Sequence, residues 1–253
     1  ILQRAASADG HLAVIYAPNP ASPRIAAEGA KAAANLAILC RGEKAPESLY
    51  VLPTEANVNG ISDMGVRPGA GGLDAASMPA GVRALIVVGD NPAMFSRGRD
   101  EVRAALEKLD CLVTIDSLQT DTAKLAHFAF ADLPTYGKDG TYVSADRRVV
   151  RLSRAESPAG DQRDCLDVLS ALAQGLAIRL GKSVALPAAA SAVMSEICST
   201  VPGFADAVYS RLASGASSAL PSAPSHLRVQ AVQTTPLPSA NGRLVLATAR
   251  TLF

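Results

Sequence analysis

Small and polar residues that directly follow apolar, strand-length runs are the residues of this sequence that could bind a ligand. The run of residues 84–88 ends in Gly-Asp-Asn-Pro, and the run of residues 111–115 ends in an aspartate. If these runs are parallel strands, the residues after them meet at the carboxyl edge of one sheet, where α/β proteins bind ligands. A Gly- and Asn-rich segment, residues 53–79, is a further candidate, because loops of this length are often functional. The predicted cleft consists of Asn59, Gly60, Gly89, Asp90, Asn91, Pro92 and Asp116.

The same residues also fit a purely structural role. Gly and Asn tolerate positive φ and Pro fixes its own φ, so residues 89–92 could form no more than a tight turn. Asn59 and Gly60 fit an ordinary loop as well as they fit a ligand contact. Both interpretations stay open on the sequence alone.

The cysteines and histidines form no recognisable ligand set. The four cysteines lie far apart, without the Cys-x-x-Cys spacing that holds zinc or an iron–sulfur cluster. We interpret them as small apolar residues of the core. The sequence therefore predicts no catalytic residue and no metal site within this stretch. The cysteines are Cys40, Cys111, Cys165 and Cys198, and the histidines are His11, His127 and His226.

Charge and hydropathy exclude two classes of partner. The chain has 24 basic and 23 acidic residues, a net charge of +1, so no strong field attracts nucleic acid. Its apolar runs are far shorter than the roughly 20 residues needed to cross a bilayer, so we expect no membrane insertion and a cytoplasmic location. A group of arginines could pair with a partner's carboxylates, but such side chains are usually solvated. These are Arg147, Arg148, Arg151 and Arg154.

The first half of the chain alternates strand-like and helix-like segments. Strands are predicted at residues 12–16, 48–52, 84–88 and 111–115, the third of them as a central strand covered on both faces. A helix is predicted to begin with Ser22 as N-cap and Pro23 as first residue, and to end near Gly42. A second helix would bury Val102, Ala105, Leu106 and Leu109. This order predicts an α/β fold with a doubly wound, mostly parallel sheet.

The second half adds an excursion from that sheet. A strand from Phe128 and a hairpin of residues 141–143 and 149–152 precede two helices, one capped by Asp161 or Asp164 and one over residues 187–200. The first of these helices carries an apolar stripe predicted to pack on the core, so that Leu169→Ala would cost roughly 2–5 kcal/mol. The stripe is Leu166, Leu169, Leu172, Ala173, Leu176 and Leu180.

Composition suggests three parts. Residues 1–213 form the α/β domain, residues 214–243 a Ser/Pro-rich linker, and residues 244–253 the start of a truncated C-terminal domain whose first strand covers residues 244–248. The chain begins with Ile1 rather than Met and stops at Phe253, soon after that apolar stretch. We therefore expect a piece of a longer protein.

Four segments occur in an order that resembles the molybdopterin oxidoreductase family, and most of all the large iron–sulfur subunit of bacterial NADH-quinone oxidoreductase, respiratory complex I. They cover roughly residues 50–180. The first contains Asn-Gly followed by Asp-Met-Gly, and the second is the apolar strand before Gly-x-Asn-Pro. The third combines a Thr-x-Thr-Ala helix start with a Leu-Pro turn, and the fourth contains Asp-Gly-Thr. The segments are residues 55–65, 85–92, 113–134 and 138–161.

The resemblance implies part of an enzyme rather than a catalytic unit. A complex I subunit of this type would carry iron–sulfur clusters elsewhere in its full length and pass electrons from NADH towards quinone. Its partners would be other peripheral-arm subunits, at the cytoplasmic face of the inner membrane. The C-terminal residues 244–253 would begin the family's dinucleotide-binding-type domain.

Departures from the family pattern bear on the pterin cofactor. Gly137 stands where active members have a glutamate, Ser144 where they have an asparagine, and Asp-Arg-Arg at residues 146–148 where they have Glu-Gly-Arg. Losing polar groups weakens a site for a polar ligand. The resemblance thus implies a scaffold with vestigial pterin-site loops and no cofactor bound by this stretch.

Two alternatives remain. The chain could belong to a molybdenum-dependent formate dehydrogenase, in which residues 89–92 and Asp116 would hold a molybdopterin cofactor. It could also be an unrelated thiamin-diphosphate-like or Rossmann-like binding module, although the Gly-rich phosphate fingerprint after a first strand is missing.

Overall fold

The computed structural model describes residues 12–18, 23–53, 55–66, 81–95, 99–184, 186–213, 215–220 and 227–233. The chain divides into two compact units. The first consists of residues 1–61, 143–148 and 219–253, and the second of residues 62–142 and 149–218. The domain boundaries expected at residues 213 and 243 stay predictions, and the expected strand at residues 244–248 lies outside the described residues.

In the first unit, two parallel strands pack with a long helix. β1 (Val14–Tyr16) pairs with β2 (Leu49–Val51), and α1 (Pro23–Arg41) connects them through a 3-10 helix, Gly42–Ser48. α1 begins at Pro23 and ends before Gly42, which has a φ of 54°, as the sequence predicts. The Tyr16 hydroxyl donates to the Ala26 carbonyl at 3.0 Å. The expected N-cap, Ser22, is outside the described residues.

A short helix, α2 (Val58–Asp63), lies in the segment that we expected to be irregular, so that part of the expectation is wrong. It starts after Asn57, whose φ of 64° is left-handed, and Ile61 N–H donates to the Asn57 carbonyl at 2.9 Å. Fewer than two helical turns cannot show an apolar periodicity, and for that reason the composition suggested a loop.

The second unit is built on a three-stranded parallel sheet. β3 (Ala84–Val88), β4 (Cys111–Asp116) and β5 (Phe128–Ala131) lie in the order β3-β4-β5. Between the strands run α3 (Pro92–Phe95), α4 (Arg99–Leu106) and α5 (Asp121–Leu125). These parallel pairings confirm the α/β fold class.

The buried strand of this sheet is β4 rather than β3. Residues 112–115 of β4 are all buried, whereas Ile86 and Val88 of β3 are 48% and 41% exposed. These exposures show that the expectation of a strand covered on both faces is wrong for β3, which pairs with β4 among the described strands. Apolar runs on edge and central strands look alike in sequence, because both carry β-branched residues. The predicted helix face is confirmed for Val102, Leu106 and Leu109, which form a buried cluster with Ala93 and Leu112, whereas Ala105 is half-buried.

A hairpin follows the sheet, as predicted. β6 (Gly140–Val143) and β7 (Arg148–Leu152) are joined by a turn in which Ser144 N–H donates to the Arg148 carbonyl at 2.9 Å. A third strand, β8 (Ser218–Ala219), extends this sheet in the order β6-β7-β8. β8 lies within the stretch that we expected to be a linker, and Leu220 after it is 6% exposed.

Three helices complete the described chain: α6 (Cys165–Arg179), α7 (Ala190–Thr200) and α8 (Tyr209–Leu212). The predicted stripe of α6 is wrong at its end, because Leu176 and Leu180 are 60% and 59% exposed while Val168 and Ala177 are buried. Leu169 is half-buried. α6 is apolar around most of its circumference, so periodicity could not single out its buried face. Within the described residues, no helix has both the length and the hydropathy to cross a membrane.

Candidate functional site

The carboxyl ends of β3 and β4 bring part of the predicted cleft together. Val88 and Ile115 are register partners, and Gly89 N–H donates to the Ile115 carbonyl at 2.9 Å. The residues after β3 and Asp116 after β4 therefore share one edge of the sheet, as parallel strands require. Gly89 has a φ of 62°, and a Cβ added there would meet no atom within 4 Å. The backbone at this edge is open to an approaching group.

The two acidic residues at this edge make short-range turn contacts. Asp90 is exposed, and its Oδ1 accepts a hydrogen bond from Asn91 N–H at 2.7 Å. The Oδ1 atom of Asp116 accepts from Leu118 N–H at 2.9 Å. Both are the side-chain to backbone contacts by which aspartate stabilises turns.

Asn91 is the most enclosed of the predicted cleft residues in the second unit. It is 8% exposed, and its Oδ1 accepts from Thr122 N–H at 3.1 Å and from the Thr122 hydroxyl at 2.9 Å. The Thr122 oxygen in turn accepts from Ala93 N–H at 3.1 Å. These residues, Asn91, Thr122 and Ala93, form what we call the asparagine network. It joins the start of α3, at Pro92, to the start of α5.

Asn59 and Gly60 belong to the first unit. The Asn59 amide donates to the Ser144 carbonyl at 3.2 Å. A Cβ on Gly60 would lie 2.1 Å from Asn57 Oδ1 and 3.1 Å from Val143 Cγ2, so a larger residue there would have to displace the Asn57 side chain. The convergence of Asn59 and Gly60 with the β3–β4 edge stays a prediction.

A second polar site, not predicted from the sequence, lies where β5 ends. Asp132 is 3% exposed, and its Oδ1 accepts from Leu133 N–H at 2.8 Å and from Cys165 N–H at 3.0 Å. Its Oδ2 forms an ion pair with the Lys138 ammonium. The Lys138 nitrogen also lies 3.7 Å from the Cys165 sulfur. A single buried carboxylate thus holds a lysine and a cysteine next to each other.

Asp164 completes this site as the N-cap of α6. Its Oδ1 accepts from Leu166 N–H at 3.0 Å, which confirms one of the two predicted caps. Carboxylate oxygens of Asp132 and Asp164 and the sulfur of Cys165 all lie within 4.8 Å of one another. Such atoms can ligate a divalent cation, but here the Lys138 ammonium supplies the positive charge. Asp132, Lys138, Asp164 and Cys165 are called the aspartate cluster below.

The surroundings of the cluster change two pKa values. Burial by itself lowers the pKa of Lys138, but the hydrogen bond to Asp132 and the charges of Cys165, Asp132 and Asp164 outweigh it and raise the pKa above 10.5. Burial raises the pKa of the Cys165 thiol above 9.0, and the two aspartates add to this against the opposing charge of Lys138. At neutral pH the cluster therefore contains an ammonium and a thiol.

The interpretation of the cysteines as core residues is confirmed for Cys40 and wrong for Cys165. Cys40 is buried, whereas Cys165 is half-buried and lies among charged groups. Asp132 and Lys138, the two residues that Cys165 contacts, lie in segments that carry the family resemblance. Leu-Pro follows Asp132, and Asp-Gly-Thr follows Lys138. Local patterns could not show that Cys165 returns to them, because its contact with Lys138 spans 27 positions.

Two of the four hairpin arginines have partners inside the second unit. The Arg151 guanidinium stacks on the Tyr209 ring, 4.4 Å from its centroid, and the Arg154 Nε lies 3.7 Å from Asp139 Oδ2. The expectation of solvated side chains is therefore wrong for Arg151, which is half-buried.

Comparison with known proteins gives consistent matches. The sequence profile of the molybdopterin oxidoreductase family matches residues 6–175. In an alignment 209 positions long that covers 70% of this chain, the sequence is 32% identical to the NADPH-Fe(3+) oxidoreductase subunit alpha of Geobacter sulfurreducens. In an alignment 243 positions long that covers 83% of this chain, it is 26% identical to a Staphylococcus haemolyticus protein provisionally named a formate dehydrogenase. Each match covers 24% of the relative, so the chain spans about a quarter of their length.

Proposed function

Because the chain belongs to the molybdopterin oxidoreductase family, we propose that it is a scaffold domain in an electron-transferring oxidoreductase subunit. The subunit that we propose is the large iron–sulfur subunit of an NADH-quinone oxidoreductase, respiratory complex I. The asparagine network carries the scaffold part of this proposal. Asn91 is the most buried polar side chain of the predicted cleft in its unit, and its acceptor oxygen is used by Thr122.

The residues at the β3–β4 edge do not fit the phosphate groups of a pterin dinucleotide. Asp90 and Asp116 are the acidic side chains at this edge, and carboxylates repel phosphate. The Asn59 amide and the Asn91 oxygen, which could bind a polar ligand, already have partners within their own units. We therefore assign this edge no part in pterin chemistry.

Electron transfer in this proposal takes place in iron–sulfur clusters held by other parts of the full-length subunit. The described chain would position those parts and contact other peripheral-arm subunits at the cytoplasmic face of the membrane. The name of the Geobacter relative, an NADPH-Fe(3+) oxidoreductase subunit, supports the wider class of electron-transferring subunits.

A second candidate is a segment of a molybdenum-dependent formate dehydrogenase. The name of the Staphylococcus relative favours it, and so does the open backbone at Gly89 beside the Asp116 carboxylate. A carboxylate accepts hydrogen bonds from amino groups, which pterins and guanine carry. In this candidate Asp116 would bind such an amino group.

The experiment that separates the candidates uses the full-length protein purified from its native host. We expect peripheral-arm subunits in the purified complex, NADH oxidation coupled to quinone, and no stoichiometric molybdenum, tungsten or pterin. Mass spectrometry, elemental analysis and fluorescence of the oxidised pterin measure these quantities. Stoichiometric metal and pterin together with formate oxidation would contradict the complex I proposal and support the second candidate.

A further inference from the structure

The aspartate cluster holds an amine and a thiol in a geometry suited to bond formation. The Lys138 nitrogen lies 3.7 Å from the Cys165 sulfur. The two oxygens of Asp132 position both groups, one through the Lys138 ammonium and the other through Cys165 N–H. Asp132 is 3% exposed, so this arrangement is fixed by a buried group. Reacting groups held in this way need little further ordering before they react.

The reacting groups themselves remain within reach of a small oxidant. Cys165 is half-buried, and the Lys138 side chain is 24% exposed. Cys165 is also the first residue of α6, so its sulfur lies at a helix end rather than within the core. Hydrogen peroxide is small enough to approach such a position, and the thiolate that forms when the Cys165 thiol loses its proton is the species that peroxide oxidises to sulfenic acid.

From this geometry we infer that Cys165 and Lys138 form a reversible sulfur–nitrogen cross-link when the protein is exposed to peroxide. In the first step the Cys165 sulfur attacks a peroxide oxygen. The oxygen–oxygen bond breaks, a sulfenic acid forms, and one water leaves, so sulfur is oxidised by two electrons and peroxide is reduced. In the second step the Lys138 nitrogen attacks that sulfur, the sulfur–oxygen bond breaks, and a second water leaves.

The protons balance in this sequence. One thiol, one neutral amine and one peroxide give one sulfenamide and two waters. Lys138 must first lose a proton from its ammonium, and because its side chain is 24% exposed this proton can pass directly to solvent. A thiol reductant reverses the reaction by attacking the sulfur and releasing the amine. The product joins the segment after β5 covalently to the start of α6.

The test is peptide mapping of the purified full-length protein after treatment with hydrogen peroxide. Remaining thiols are blocked with iodoacetamide, the protein is digested, and peptides are identified by mass spectrometry. We expect a linked pair of peptides containing Lys138 and Cys165, lighter than their sum by two hydrogen atoms and absent after reduction. Cys198→Ser serves as the matched control, because Cys198 lies in α7 and should leave the cross-link unchanged.

Two variants separate the cross-link from ordinary oxidation. Lys138→Arg keeps the positive charge beside Asp132 but replaces the amine by a poorly nucleophilic guanidinium, so the linked peptide should fall to background. Cys165→Ser should also remove it. The wild-type map decides the matter even if a variant fails to fold. Recovery of Cys165 as a thiol, a sulfenic acid or a sulfinic acid with Lys138 unlinked would overturn the inference, as would a linked peptide that retains an oxygen.

Discussion

The asparagine network and the aspartate cluster both lie at strand ends of the same sheet, yet they differ in charge and in exposure. The asparagine network follows β3, is neutral, and has its central residues, Asn91 and Thr122, buried. The aspartate cluster follows β5 and combines a buried carboxylate with a partly exposed ammonium and thiol. A neutral, closed network supports the fold, whereas ionisable groups that reach solvent can also respond to pH and oxidants.

The largest expected effect is the loss of Asp132. Asp132→Ala leaves the Lys138 ammonium and two backbone N–H groups without their acceptor, and we expect a cost of about 3 kcal/mol in the free energy of unfolding. Asp121→Ala is the control, because its pair with Lys124 is exposed and should contribute about 0–1 kcal/mol. Urea unfolding measures both. Equal costs would show that the aspartate cluster is no more than a surface ion pair.

The next effect concerns the asparagine network. Asn91→Ala removes the acceptor of two buried hydrogen bonds from Thr122, so we expect a cost of about 2 kcal/mol. Asp90→Ala, one residue earlier and exposed, should cost less than about 1 kcal/mol. The same unfolding measurement compares them. A small cost for Asn91→Ala would mean that Asn91 is available to a ligand and would strengthen the formate dehydrogenase candidate.

A smaller effect is expected in α6, which begins at the aspartate cluster. Leu169 is half-buried, so Leu169→Ala should cost about 1 kcal/mol, below the 2–5 kcal/mol range of fully buried leucines. Leu176→Ala, in the exposed last turns, should change the melting temperature little. If both variants destabilise the protein equally, the end of α6 is covered in solution by another part of the protein.

The smallest expected effect is a dependence of stability on alkaline pH. Because the pKa of Cys165 is raised in the folded state, the contribution of this thiol to the free energy of unfolding is complete below pH 9.0. It is lost as pH rises through the higher pKa of the folded state. The contribution of Lys138 follows the same sign and is complete below pH 10.5. The charged groups around the thiol are Asp132, Asp164 and Lys138. Cys165→Ala should therefore flatten the decline in unfolding free energy that begins near pH 9.0. A steeper decline in the variant would contradict this sign.

Local patterns predicted much of the fold. The buried run of β4, the start of α1 at Pro23 and the cap of α6 by Asp164 follow from hydrophobicity, fixed proline geometry and side-chain capping. The shared edge of Gly89 and Asp116 follows from the parallel order of the strands. Exposure could not be predicted in the same way. Ile86 in β3 and Leu176 in α6 match buried residues in type, but too little of the described part of the chain packs over them.

The sequence by itself determined the α/β alternation, the polar residues at strand ends and the family resemblance, because these depend on neighbours along the chain. Only the tertiary structure decided what those polar residues do. Asn91 contacts Thr122, which is 31 positions later in the sequence, and Lys138 contacts Cys165, which is 27 positions later. Hydrogen bonds and ion pairs act over a few ångströms in space, so they depend on which residues folding brings together. Residue types alone therefore predicted Asn91 as a possible ligand contact and Cys165 as a core cysteine.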